Sequence, residues 1–187
     1  MSNTNMQSIS SQPVSRIEPR WWFLFGMVAL GVCSRLLPHP MNFSPVAAVA
    51  LFAGAAFGGW RSAIVVPMAT MLFSDLFLGW HWTMPLVYAC ICFNIVIGRL
   101  FVNMQQPWTI PACSLLGSVQ FFAITNLACL QEVSPAGLTQ CYVDAIPFFQ
   151  NTLVADFLFS TVFFSLLAVA QRMVPALRSN PVAAAKS

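Results

Sequence analysis

The stretch "SRLLPHPMNFSPVAAVALFAGAAFGGW", residues 34–60, decides how the whole chain is read. Its first twelve residues hold Arg35, His39, Asn42 and the prolines Pro38, Pro40 and Pro45; the remainder is small and apolar. Proline cannot continue a helix, and it biases the preceding residue towards extended geometry. Pro38 and Pro40 therefore end one helix, and Pro45, after a Ser44 cap, suits the first turn of the next. The result is a short, stiff connector whose backbone polar groups need partners or water. At membrane depth such backbone is tolerated only against protein or a wet cavity.

On both sides of this connector the chain is apolar. Of 187 residues 58% are hydrophobic and only 7% charged, with a mean hydropathy of +0.76. A soluble domain carries about 25% charged residues because water must wet its surface. This composition cannot cover a globule in water, so most of the surface faces lipid. The formal charge of +3 is small and dispersed, which excludes a nucleic-acid footprint. Cys33, Cys90, Cys92 and Cys113 read as small buried hydrophobes. Cys129 and Cys141 fall near one face, and the sequence leaves open a disulfide or two free thiols.

A membrane-crossing helix needs about 20 mostly apolar residues. Six segments qualify, at roughly 21–37, 44–60, 62–80, 84–103, 109–130 and 145–172, which predicts an all-α, polytopic bundle of about six transmembrane helices. The second and third, joined tightly at Gly58-Gly59-Trp60-Arg61, read as a hairpin of spans or as a pair of shorter, partly buried helices. A polar, disordered tail (1–20) precedes this domain (21–173), and a second tail (174–187) follows it. Arg35 and Pro38 stand where a small-residue cleavage site would lie, so the first segment reads as a span rather than a cleaved signal peptide.

With six spans, Arg16, Arg20, Arg61, Arg99, Arg172, Arg178 and Lys186 share one side, seven of the eight basic residues. Basic residues mark the cytoplasmic side, so both termini are expected there. Trp21 and Trp22 then mark the inner interface, and Trp80 and Trp82 the outer one.

Polar side chains within a bilayer are costly and usually pair or line a cavity. Arg35, His39, Asn42, Ser74, Asp75, His81 and Asn126, with Glu132 and Asp144, gather at the outer depth although they come from different spans and loops. Arg35 and Asp75 have opposite sign and are expected to pair. Deeper lie Asn94 and Asp156, the latter about 15 Å into the last span. Thr152, Asp156 and Ser160 share one helix face. An ionised Asp156 is expensive there, so it either keeps its proton or bonds neighbours such as Asn94. Both residues read as interhelical glue or as a ligand or proton site. Gly54 and Gly58 form a Gly-x-x-x-Gly pair for close helix packing, within the chain or against another subunit.

The sequence contains no Walker A loop, His-Glu-x-x-His, paired Cys-x-x-Cys or Gly-x-Ser-x-Gly motif. No enzymatic activity, cofactor or metal site is expected.

Three blocks carry a resemblance: "RLLPHPMNFSPVAAVALFAGA", "SDLFLGWH" and "CYVDAIPFFQNTLVADFLF". They resemble an uncharacterised bacterial family of membrane proteins described only as transport proteins, from Arg35 to about Ala176. That family is more distantly similar to the substrate-binding S components of energy-coupling-factor vitamin transporters. The resemblance implies a bundle in the bacterial inner membrane that captures a small nutrient, such as a vitamin, from the outer face. It also implies a partner that supplies energy, a transmembrane subunit with ATPases. The small-residue docking stripe such subunits carry on helix 1 is reduced here to Ala29 and Cys33.

The expected pocket combines Arg35, His39 and Asn42 with Asp75, His81 and Trp80, closed by Asn126 and Asn151 from the last two spans. The competing expectation is a structural or assembly subunit of a larger membrane complex, with the same polar residues as internal cement.

Overall fold

The computed structural model describes residues 19–38, 40–131, 134 and 137–173, with backbone only for 19–24 and 131. Arg16, His39, Glu132, Arg178, Lys186, the N-terminal tail up to residue 18, the C-terminal tail and the side chains of Trp21 and Trp22 lie outside that description, while residues 19 and 20, expected in the tail, belong to α1. The described elements are all helical: α1 (Pro19–Leu36), α2 (Val46–Ala56), α3 (Trp60–Leu78), α4 (Met84–Phe101), α5 (Thr109–Thr125), α6 (Leu138–Asp144) and α7 (Ile146–Met173). A 3-10 helix, Asn126–Gln131, extends α5.

Four helical stretches are long and apolar enough to cross a membrane: Trp60–Leu78, Met84–Phe101, Thr109–Leu130 and Ile146–Met173. Within the second predicted span, 44–60, the continuous helix is shorter than the apolar run. The helix there is only α2, 11 residues, or about 16 Å, roughly half of a 30 Å hydrocarbon core. Phe57 is already extended, with φ −92° and ψ 131°. Every residue of α2 except Ala47 and Ala56 is buried. A helix that is apolar all round belongs inside a bundle, and α2 is a central post touching α3, α4, α5 and α7.

Small side chains give α2 this position. A Cβ placed on Gly54 would collide with the Ile95 carbonyl of α4, and one on Gly98 with the Leu51 carbonyl of α2. The two backbones therefore touch, which is how membrane helices gain packing when burial in lipid supplies no hydrophobic drive. Phe52 fills the opposite side, its ring 5.2 Å from Phe164, 5.9 Å from Phe163 and 6.0 Å from Phe57.

Gly58 is corrected as a packing residue: it lies beyond the end of α2, and its carbonyl accepts a 3.0 Å hydrogen bond from Arg99 Nη2. Arg99 Nη1 donates to the Phe57 carbonyl, and the guanidinium lies 5.2 Å from the Trp60 ring centroid. A residue at the end of α4 thus caps α2 and fixes the entry to α3.

Candidate functional site: a polar cavity at the 35–45 connector

The site begins with α3. Its lower turns carry Pro67, and the Thr70 and Ser74 hydroxyls donate back to the carbonyls of Val66 and Thr70, at 3.0 and 2.8 Å. One turn of this helix then presents Met71, Ser74 and Asp75, all buried, towards α1. Arg35, in the last turn of α1, meets them. Its Nη2 lies 2.9 Å from Asp75 Oδ1, and Nη1 donates to Ser74 Oγ and to Met71 Sδ, both at 2.8 Å. The expected Arg35–Asp75 pair is present. Tyr88 of α4 completes it, donating to Asp75 Oδ2 at 2.9 Å. Asp75 thus holds a cation on one oxygen and a hydroxyl on the other, the condition under which a buried charge pair is sustained.

The connector beyond Arg35 is fastened to α7. Asn151 Nδ2 donates to the Met41 carbonyl at 3.0 Å, and the Phe43 ring lies 5.8 Å from that of Phe159. Asn42 takes φ +62°, a left-handed conformation that asparagine tolerates better than most side chains. The Pro45 carbonyl then opens the α2 ladder, accepting from Val49 N–H at 2.8 Å. Ser44 Oγ accepts from Val46 N–H at a long 3.4 Å, so Pro45 rather than Ser44 occupies the cap.

These elements enclose a cavity of about 330 Å³. Arg35, Asn42, Ser44, His81, Thr152 and Asp156 supply its polar atoms; Met71, Val87, Ile91 and Phe121 are among its apolar walls. Asn42 and His81 are exposed, whereas Asp156 is only 2% exposed. The cavity therefore runs from the connector to a point ten residues into α7, about 15 Å along that helix. A side cavity of about 90 Å³ shares Asn42, Phe121 and Thr152 and reaches Asn126.

Asp156 forms the floor. Ser118 of α5 donates to its Oδ2 at 2.6 Å, and Oδ1 meets no donor among the described residues. Of the neighbours open to such a bond, Ser118 rather than Asn94 makes it. Asn94 turns back along α4, its Nδ2 donating to the Cys90 carbonyl at 3.1 Å, while its Oδ1 occupies the space a Cβ on Gly117 would need. Asn94 is packing, and Gln120 Nε2 joins it on the same Cys90 carbonyl at 3.2 Å.

The sequence-based site is thus partly reassembled. Arg35, Asn42 and His81 line the main cavity and Asn126 the side one, while Asn151 acts one layer out by holding the connector. Asp75 is not a wall of the cavity; it is the counter-ion behind Arg35. Trp80 is 79% exposed and lines neither cavity. Gly79 ends α3 with φ +88°, and the chain leaves the bundle there. Phe121 supplies the aromatic wall instead. His39 lies outside the described residues. Tyr88 and Ser118 were not anticipated, although Ser114 and Ser118 are spaced i, i+4 and so share a helix face.

Among the described residues no group of three or more His, Cys, Asp or Glu side chains could hold a metal ion. Cys129 and Cys141 are joined as a disulfide, their Cα atoms 6.6 Å apart, at the foot of the segment linking α5 to α7.

No curated protein and no solved structure matches the chain. The profile of a family of unknown function (DUF6580) matches residues 15–177, so the whole helical bundle falls within it, and the chain belongs to that family.

Proposed function

We propose that this chain is a substrate-binding membrane subunit that captures a small nutrient in the cavity beside the 35–45 connector. The supporting observation is the cavity itself. A volume of about 330 Å³ lies in the range of small-molecule sites, which are mostly apolar with a few converging polar groups. Here those groups come from α1, the connector, the α3–α4 turn and α7. In this reading the chain crosses the bacterial inner membrane six times. α1 crosses with the help of its first turns, and α2 crosses as a short post inside protein, where it need not reach lipid on its own. Both termini are cytoplasmic, and the connector opens to the outer face. With no nucleotide-binding motif in its sequence, the chain either draws energy from a partner with ATPase subunits or acts as a facilitator.

A screen of vitamins and their precursors against the purified protein, read as a shift in melting temperature, tests this. A ligand of the native state raises apparent stability. At least one compound is expected to stabilise the wild type and not Ala47→Trp, which places an indole in the cavity. If every compound acts equally on both, the cavity is not a binding site.

One observation favours the competing reading, a structural subunit of a larger complex. The Arg35 guanidinium is already bound to Asp75, Ser74 and Met71. Under that reading the screen yields nothing, and Arg35 variants lose only protein.

A further inference from the structure

We infer that the cavity floor selects a ligand carrying a nitrogen donor, an amine or a protonated N-heterocycle, which bonds Asp156 Oδ1. This rests on the binding-subunit reading and names the substrate class of the same cavity.

The inference follows from which polar groups are already engaged. Arg35 is the cation of the cavity wall among the described residues, and Asp75 neutralises it from behind at 2.9 Å. Its Nη1 is shared between Ser74 and Met71. A ligand carboxylate arriving there would bring a second anion to one cation, and would have to displace Asp75 to gain a full ion pair. Asp156 is in the opposite condition. It is 98% buried, it lines the cavity, and Ser118 engages only Oδ2.

Among the described residues Oδ1 meets no donor, and no cationic side chain is paired with this carboxylate. Leaving such an oxygen unbonded away from water is costly. Thr152, one turn before it, cannot supply the missing proton: its hydroxyl donates along its own helix to the Phe148 carbonyl at 3.1 Å.

A charged nitrogen donor from the ligand would satisfy Oδ1 with a charge-assisted bond, the stronger kind. The rest of the molecule would lie against Phe121, Val87 and Ile91, which ask for a flat or apolar body. Discrimination follows, because a site built for a donor rejects the analogue lacking it.

Two probe triads test this on full-length protein in detergent: tryptamine, tryptophol and indole-3-propionate, then phenethylamine, 2-phenylethanol and 3-phenylpropionate. Within each triad only the head group changes. The amines are expected to raise the melting midpoint by about 3–5 °C at tenfold excess over Kd, with the alcohols and acids inert. Asp156→Asn, which preserves shape and can still accept from Ser118, is expected to lose that shift. Equal shifts from acids or alcohols overturn the inference, as does an amine shift that survives Asp156→Asn.

Stabilisation by sodium chloride over potassium chloride, with none from the amines, assigns Oδ1 to an inorganic ion and overturns it as well. Should Asp156→Asn fail to fold, the wild-type triads decide alone. If no amine binds but the vitamin screen yields a compound excluded by Ala47→Trp, the binding-subunit reading stands and the amine assignment falls. If the amines bind Ala47→Trp as well as wild type, both fall.

Discussion

Gly54 of α2 and Gly98 of α4 lie against each other's helix backbone, each directly opposed to a carbonyl, at Ile95 and Leu51. Neither carbonyl can swing aside, because each belongs to a helical ladder. This crossing holds α2 at the centre of the bundle, and α2 in turn forms part of the cavity wall through Val46 and Ala47.

Gly54→Leu and Gly98→Leu are therefore expected to prevent folding, and Gly54→Ala to destabilise by about 1–3 kcal/mol, the usual cost of overpacking. Gly26→Ala is the control, since a Cβ there meets nothing within 4 Å. It should be neutral or slightly stabilising. Monodispersity on size-exclusion chromatography and the melting midpoint measure both.

The Arg35–Asp75 pair predicts an asymmetry between single and double replacement. Removing one partner leaves an uncompensated buried charge, which typically costs about 3–5 kcal/mol. Arg35→Met and Asp75→Leu should each lower the midpoint strongly. The double variant should recover much of the loss, since a well-packed apolar replacement of a buried pair is often neutral. Tyr88→Phe removes one hydrogen bond to a charged group and should cost about 1.5–3 kcal/mol. A double-mutant cycle on thermal unfolding reads the coupling. Additive single effects would show that the two charges do not sense each other.

The contrast between these two features shows what a sequence can carry. Opposite charges at matched depth in an apolar chain have few ways to be neutral, so Arg35 and Asp75 could be paired from their positions alone. The length of α2 could not be read that way. The run 44–60 is apolar on every side, and neither composition nor period distinguishes a half-length buried helix from a span. The same ambiguity made Gly58 look like the helical partner of Gly54, when the partner is Gly98 on another helix. Asp156 was placed on the buried face of its helix with Thr152 and Ser160, but its hydrogen-bond partner depended on which face of α5 turns inward. The i, i+4 stripe of Ser114 and Ser118 was the available signal, and serine is too ordinary in membrane helices to stand out.

Arg99 predicts a clamp that lysine cannot replace. Its guanidinium engages two successive carbonyls, Phe57 and Gly58, and lies over Trp60. A lysine ammonium is a point charge without that planar fork. Arg99→Ala should lower stability by about 1.5–3 kcal/mol, in the range of hydrogen bonds to charged groups. Arg99→Lys should recover less than half of it. Faster proteolysis at the 57–60 turn in the variants would locate the loss at the α2–α3 junction, while a uniform loss across the bundle would contradict a local clamp.

The disulfide predicts both a chemical state and a topology. Cys129 and Cys141 are joined, and Cys33, Cys90, Cys92 and Cys113 are free. After denaturation without reductant, alkylation should therefore label four cysteines, and after reduction all six. Closing a loop with a sequence separation of 12 is worth about 3 kcal/mol in the chain-entropy picture, so Cys129→Ser should lower the melting midpoint measurably. Disulfides persist in the periplasm and not in the cytoplasm. Protein from an oxidising outer compartment should carry the bond only if the α5–α7 segment faces outwards, together with the connector and the mouth of the cavity. A membrane-impermeant maleimide applied to intact cells after mild reduction should then reach Cys129 and Cys141. Labelling that required membrane disruption would place this segment, and the cavity mouth with it, on the cytoplasmic side.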